Sequence, residues 1–249
     1  MIESSKRIGE TRDAGWRQKA SMIAPLLIFF VVGASIDTSP IHDGQTINAP
    51  VYFASVTIRV ALMSAVIGWF AGEILAQFPL SSDRWGWLVG VFGAVIWIGV
   101  CGLDLERSLI RAAGFSDDWL PQREGVNPFE TYTSGIELNA FLLFRFTLLA
   151  LCVPIAEELF LRGFVMRAFE VEDWTKLPLE RIGRNGLVIG TVYGVVTHPS
   201  ECIAAAIWFT LVTLLMVKTG RFWNCVLAHA VTNLILGVYV CVSGHWELW

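Results

Sequence analysis

Residues 136–169 read IELNAFLLFRFTLLALCVPIAEELFLRGFVMRAF, an apolar run holding one proline, Pro154, and a tight charged cluster, Glu157, Glu158 and Arg162. A helix needs about 20 apolar residues to cross a bilayer core, so this run is long enough to cross and too long for one simple span. Pro154 lacks a backbone N–H and its ring crowds the preceding turn. A kink or break is therefore expected there, with the second part turning back toward an interface. Charges inside such a run are costly, and each is a functional candidate with a partner to be found.

Outward from this run the same texture repeats. Apolar stretches cover 20–36, 51–75, 85–103, 186–198, 202–217 and 222–242. Hydrophobic residues make up 55% of the 249 positions and charged residues 16%, with a mean hydropathy of +0.58. These totals predict an all-α fold, a polytopic transmembrane helical bundle of seven or eight helices whose first partners are membrane lipids. A net charge of −4, with no basic run and no zinc-finger spacing, gives no footprint for nucleic acid. The five cysteines, an odd number without Cys-x-x-Cys spacing, read as reduced packing residues. Several of the 11 tryptophans, among them Trp85, Trp87, Trp119, Trp223, Trp246 and Trp249, sit near segment ends, as an interfacial aromatic belt requires.

The chain is expected to divide into a polar tail (1–19), N-terminal transmembrane helices with a long loop (20–135) and a second transmembrane region (136–249) that carries the charged cluster. Gly33-Ala34-Ser35 is a poor cleavage site, so the first apolar stretch reads as a retained helix rather than a signal peptide. Within the loop 104–135, an interfacial helix is expected near Leu105–Ala113. Lysine and arginine number five in the tail, none in 37–50, one in 78–84, three in 170–185 and two in 218–221. That alternation places the N-terminus in the cytoplasm and the protein, multi-pass, in the inner cell membrane. Arg107, Arg111 and Arg123 of the long loop dissent.

Glu158 and Arg162 are four residues apart and can pair across one helical turn. Glu157, about 100° further round, is then free to act as a general base. The plainer reading is an interfacial charge cluster with Arg162 and Arg167. His229 and Asn233 also lie four apart and share a helix face. They can bind a developing oxyanion, or simply bond to each other for packing. His198, just before Pro199, can share a water with Glu157, or cap its helix. Counted at about 1.5 Å per residue from segment ends near 169, 186 and 222, Glu157 and His198 lie roughly 18 Å deep, His229 roughly 10 Å and Asn233 roughly 16 Å. Groups from three helices thus reach similar depths.

Glu157-Glu158-x-x-x-Arg162 with Gly163, then His198, then His229-x-x-x-Asn233 resembles the CPBP family of intramembrane proteases, which includes type II CAAX prenyl endopeptidases. The likeness spans roughly residues 136–243. It implies that Glu157 and His198 activate a water, that His229 and Asn233 form the oxyanion hole, that Glu158 and Arg162 support them, and that no metal or other cofactor is needed. In one departure, the family usually carries an aromatic residue four positions before its second-motif histidine. This chain has Gly194 there, with Tyr193 one place earlier. His198-Pro-Ser-Glu201 and the tryptophan-rich end are similar to an exosortase-associated, CAAX-protease-related bacterial subgroup.

The leading expectation is hydrolysis of a peptide bond near the cytoplasmic face, on a membrane-anchored or lipid-modified protein. A zinc-dependent membrane protease is a rival, although His-Glu-x-x-His is absent. A non-catalytic scaffold, immunity or transport protein is another, and Arg59, Glu73, Glu137 and Arg145 would suit transport.

Overall fold

A computed structural model describes residues 2–36, 48–121 and 125–248, with the side chains of 2–14 and of Asp117 excepted. The side chains of Lys6, Arg7 and Arg12, and all of Arg123 and Trp249, therefore lie outside the described residues. Every regular element among those residues is helical. The main helices are α1 (Ile2–Ser35), α2 (Ala49–Trp69), α3 (Ala71–Gln77), α4 (Arg84–Gly102), α5 (Leu105–Ala112), α6 (Gly135–Ala168), α7 (Arg184–Thr197), α8 (Cys202–Thr219) and α9 (Phe222–Ser243). Six helical segments among the described residues are long and apolar enough to cross a membrane, in α1, α2, α4, α6, α8 and α9. The chain is a multi-pass membrane protein. The remaining apolar stretch, 186–198, forms α7, whose 14 residues reach only about 21 Å and stop short of a full crossing.

Helix α6 differs from expectation. It continues through Pro154 to Ala168 without a break. A wider π turn at Leu148–Cys152 precedes the proline, with the Val153 N–H reaching the Leu148 carbonyl five residues back. That extra residue per turn supplies the room the pyrrolidine ring needs. A second π stretch, Leu159–Val165, follows the charged cluster. The C-terminal part therefore crosses to the far end of the bundle instead of turning back.

The two ends of the bundle are tied separately. At the end we call proximal, Arg17 pairs with Glu73, Gln77 Nε2 donates to the Thr175 carbonyl at 3.2 Å, and Arg221 meets Asp83 at 2.6 Å. Arg167, buried there, donates to the carbonyls of Gly163, Thr175 and Leu177 and so shapes the connection after α6. At the distal end Glu106 of α5 accepts from Ile203 N–H at the start of α8 (3.0 Å), Ser200 Oγ donates to the Pro121 carbonyl, and Tyr132 O–H donates to the Ala49 carbonyl. The helix expected near Leu105–Ala113 is thus present as α5 and clamps α8.

Small residues set the helix spacing. In lipid, close backbone approach replaces hydrophobic squeezing as the main source of packing energy. A Cβ on Gly90 of α4 would lie 2.7 Å from Val231 Cβ and 2.8 Å from the Ala228 carbonyl of α9, so these helices touch backbone to backbone. Among the described residues the cysteines form no disulfide, and Cys101, Cys152 and Cys225 are buried in the helix packing. Among the charges that had no role, Glu73 is the Arg17 partner, Arg59 lies over the Phe29 ring at 4.8 Å, and Glu137 is exposed at the distal end.

Candidate active site

The charged cluster on α6 resolves into two differently placed carboxylates. Glu158 and Arg162 have no exposed surface. Arg162 Nη1 donates to Glu158 Oε2 at 2.5 Å, and Nη2 to the Phe209 carbonyl of α8 at 3.3 Å. The other Glu158 oxygen, Oε1, lies 3.0 Å from His229 Nδ1 on α9. An imidazole whose Nδ1–H is committed to a carboxylate turns Nε2 the opposite way. Here Nε2 faces Glu157 Oε2 at 3.8 Å, just beyond direct hydrogen-bond range. Glu157, 7% exposed, stays outside the ion pair and meets a cavity.

That cavity, about 280 Å³, is walled by Glu157 from α6, His198 from the end of α7, Trp208 and Phe209 from α8, His229, Thr232 and Asn233 from α9, and Trp97 from α4. All four residues expected to act on substrate therefore share one wall system. His198 caps α7, its Nδ1 3.1 Å from the Gly194 carbonyl, and its ring stands edge-on to Trp97 at 5.3 Å. The remaining nitrogen, Nε2, points away from the helix. Asn233 Nδ2 donates to the Leu149 carbonyl at 2.9 Å, an acceptor inside the π turn that Pro154 makes necessary. An amide has two N–H donors, so a second is left for a ligand.

Several contributors had no signal in the sequence. Trp208 Nε1 donates to Thr232 Oγ1 (3.0 Å), which donates to the Gly90 carbonyl (2.9 Å), while the Trp208 ring flanks His229 at 4.8 Å. Tyr193, noted beside Gly194 in the sequence, packs its ring 5.8 Å from Phe209 and 6.0 Å from Phe160. The departure at Gly194 has a steric cause: a Cβ there would overlap the Phe209 ring, and Phe209 stands 5.6 Å from the His198 ring. An aromatic residue from α8 thus fills the place next to the histidine. Glu247 and Leu248, beyond α9, close part of the outer wall.

The cavity extends toward the distal end of the bundle. Its outermost lining residues, Glu201, Glu247 and Leu248, all belong to distal connections, and none comes from the proximal connections. These distal connections lie at the end of the bundle opposite the basic turns 78–84, 170–185 and 218–221. Depths measured from the proximal ends of three helices placed the groups at one level but carried no information about which end was plugged. Among the described residues no three His, Cys, Asp or Glu side chains form a group able to hold a metal ion.

Residues 139–235 match the family model described as Type II CAAX prenyl endopeptidase Rce1-like. No curated protein and no solved structure matches the chain. The matched segment, less than half of the chain, is similar to this protease family and holds Glu157, Glu158, Arg162, His198, His229 and Asn233.

Proposed function

We propose that this chain, similar to the Rce1-like CAAX-type proteases over residues 139–235, is a glutamic intramembrane endopeptidase that hydrolyses a peptide bond of a membrane-anchored or lipid-modified protein. The observation that carries the reading is the buried relay from Arg162 through Glu158 to His229, which leaves Glu157 and His229 Nε2 facing each other across the cavity wall.

In this mechanism a water held by Glu157 and His198 loses a proton to the Glu157 carboxylate as its oxygen attacks the substrate carbonyl. Glu157 later returns the proton to the leaving amine. The tetrahedral oxyanion is met by the second N–H of Asn233 and by His229 Nε2 when that ring carries both protons; the walls of Trp97, Trp208 and Phe209 keep bulk water from weakening those bonds. Glu158 and Arg162 do not touch substrate. They position His229, and the ion pair spares the helix an uncompensated charge.

We assign residues 136–249 as the catalytic region and 20–135 as N-terminal helices and loop, although Trp97 of α4 also lines the cavity. We place the protein in the inner cell membrane with its N-terminus in the cytoplasm. Glu157→Gln keeps the shape and removes the base, so it should abolish cleavage and leave folding intact. Membrane proteomes from cells carrying the intact and Glu157→Gln proteins are compared for a C-terminus that forms only with the former. A fully active Glu157→Gln protein would overturn the mechanism.

A further inference from the structure

Two observations of different kinds bear on the direction from which substrate arrives. The first is where the cavity ends. Its wall runs from Glu157 and His229 inside the bundle to Glu201, Glu247 and Leu248 in distal connections. Toward the proximal end Glu157 is followed along α6 by buried Leu161, Arg162 and Met166, and the second cavity, lined by Gln77, Phe78, Arg167, Glu180 and Arg221 among others, shares no residue with the first. The second is charge. The tail and the proximal turns 78–84, 170–185 and 218–221 hold five, one, three and two basic residues, whereas 37–50 holds none and the distal loop 104–135 three. Basic residues in short connections stay cytoplasmic.

Together these place the plugged end in the cytoplasm and the open end across the membrane. We infer that the cavity is entered from the extracytoplasmic face, so that the substrates are membrane-anchored proteins whose exported segment next to the anchor, rather than a cytoplasmic C-terminal tail, reaches Glu157. This rests on the proposed hydrolysis for its chemistry but not for its topology.

The test uses the full chain in bacterial cells. Single cysteines are introduced by Glu247→Cys and Asp104→Cys at the distal end and by Lys176→Cys at the proximal end, in a protein whose five native cysteines are replaced by serine. Labelling with a membrane-impermeant maleimide is expected in intact cells for Glu247→Cys and Asp104→Cys, and for Lys176→Cys only after permeabilisation. The Glu157→Gln protein should label identically, since labelling needs no turnover. Alkaline phosphatase fused after Trp249 in the native-cysteine protein, which needs no cysteine replacement, should be active, and a green fluorescent protein fusion there dark. Labelling the Glu247→Cys protein in intact cells should lower cleavage at least about tenfold, and labelling the Lys176→Cys protein after permeabilisation should leave it unchanged. Labelling of Lys176→Cys but not of Glu247→Cys in intact cells, an inactive phosphatase fusion, or cleavage untouched by the label at position 247 would overturn the inference. Survival of cleavage in Glu157→Gln would overturn the mechanism alone.

Discussion

If Glu158 and Arg162 act as a neutral unit that positions His229, removing one should cost far more than removing both. Both side chains are fully buried, in contact at 2.5 Å. Arg162→Met strands a carboxylate and Glu158→Gln strands a guanidinium, and each should destabilise the fold by about 3–5 kcal/mol. The double variant strands neither. It loses the Nη2 bond to the Phe209 carbonyl, worth about 0.5–1.5 kcal/mol, and should otherwise recover most of the loss. The cycle should therefore show a coupling of at least about 2 kcal/mol. Unfolding in mild detergent, followed by tryptophan fluorescence, measures the stability of all four proteins. Turnover is expected to behave differently. The restored double variant lacks the carboxylate that holds the His229 Nδ1 proton, so cleavage should stay at least about 100-fold down. Additive losses in the cycle would show that the pair is not an energetic unit. Native turnover in the double variant would show that Glu158 does not position His229.

Asn233→Ala removes the proposed oxyanion donor and should lower kcat by about 10²–10³-fold with little change in KM, measured on the cleaved substrate in proteoliposomes. Gly194→Ala drives a methyl into the Phe209 ring and should cost about 1–3 kcal/mol of overpacking in thermal unfolding, largely relieved by adding Phe209→Leu. Chelator treatment should leave cleavage unchanged, with sub-stoichiometric metal by mass spectrometry; loss of activity that zinc restores would favour the metal-dependent rival.

Much of this protein was legible in its sequence because a bilayer imposes simple rules. Segment length and apolarity set the helices, since every backbone group in lipid must be bonded within its own segment. Four-residue spacing put Glu158 with Arg162 and His229 with Asn233, because the helical period alone fixes which residues share a face. Tertiary structure decided the rest. That Glu158 bonds His229 as well as Arg162 depends on the distance between α6 and α9, and glycines at 86, 90 and 93 of α4 help set where α9 lies. The uninterrupted course of α6 depends on π turns, which no residue type announces. The direction in which the cavity opens depends on which end the side chains of several helices fill, a property of packed volume that no single helix encodes.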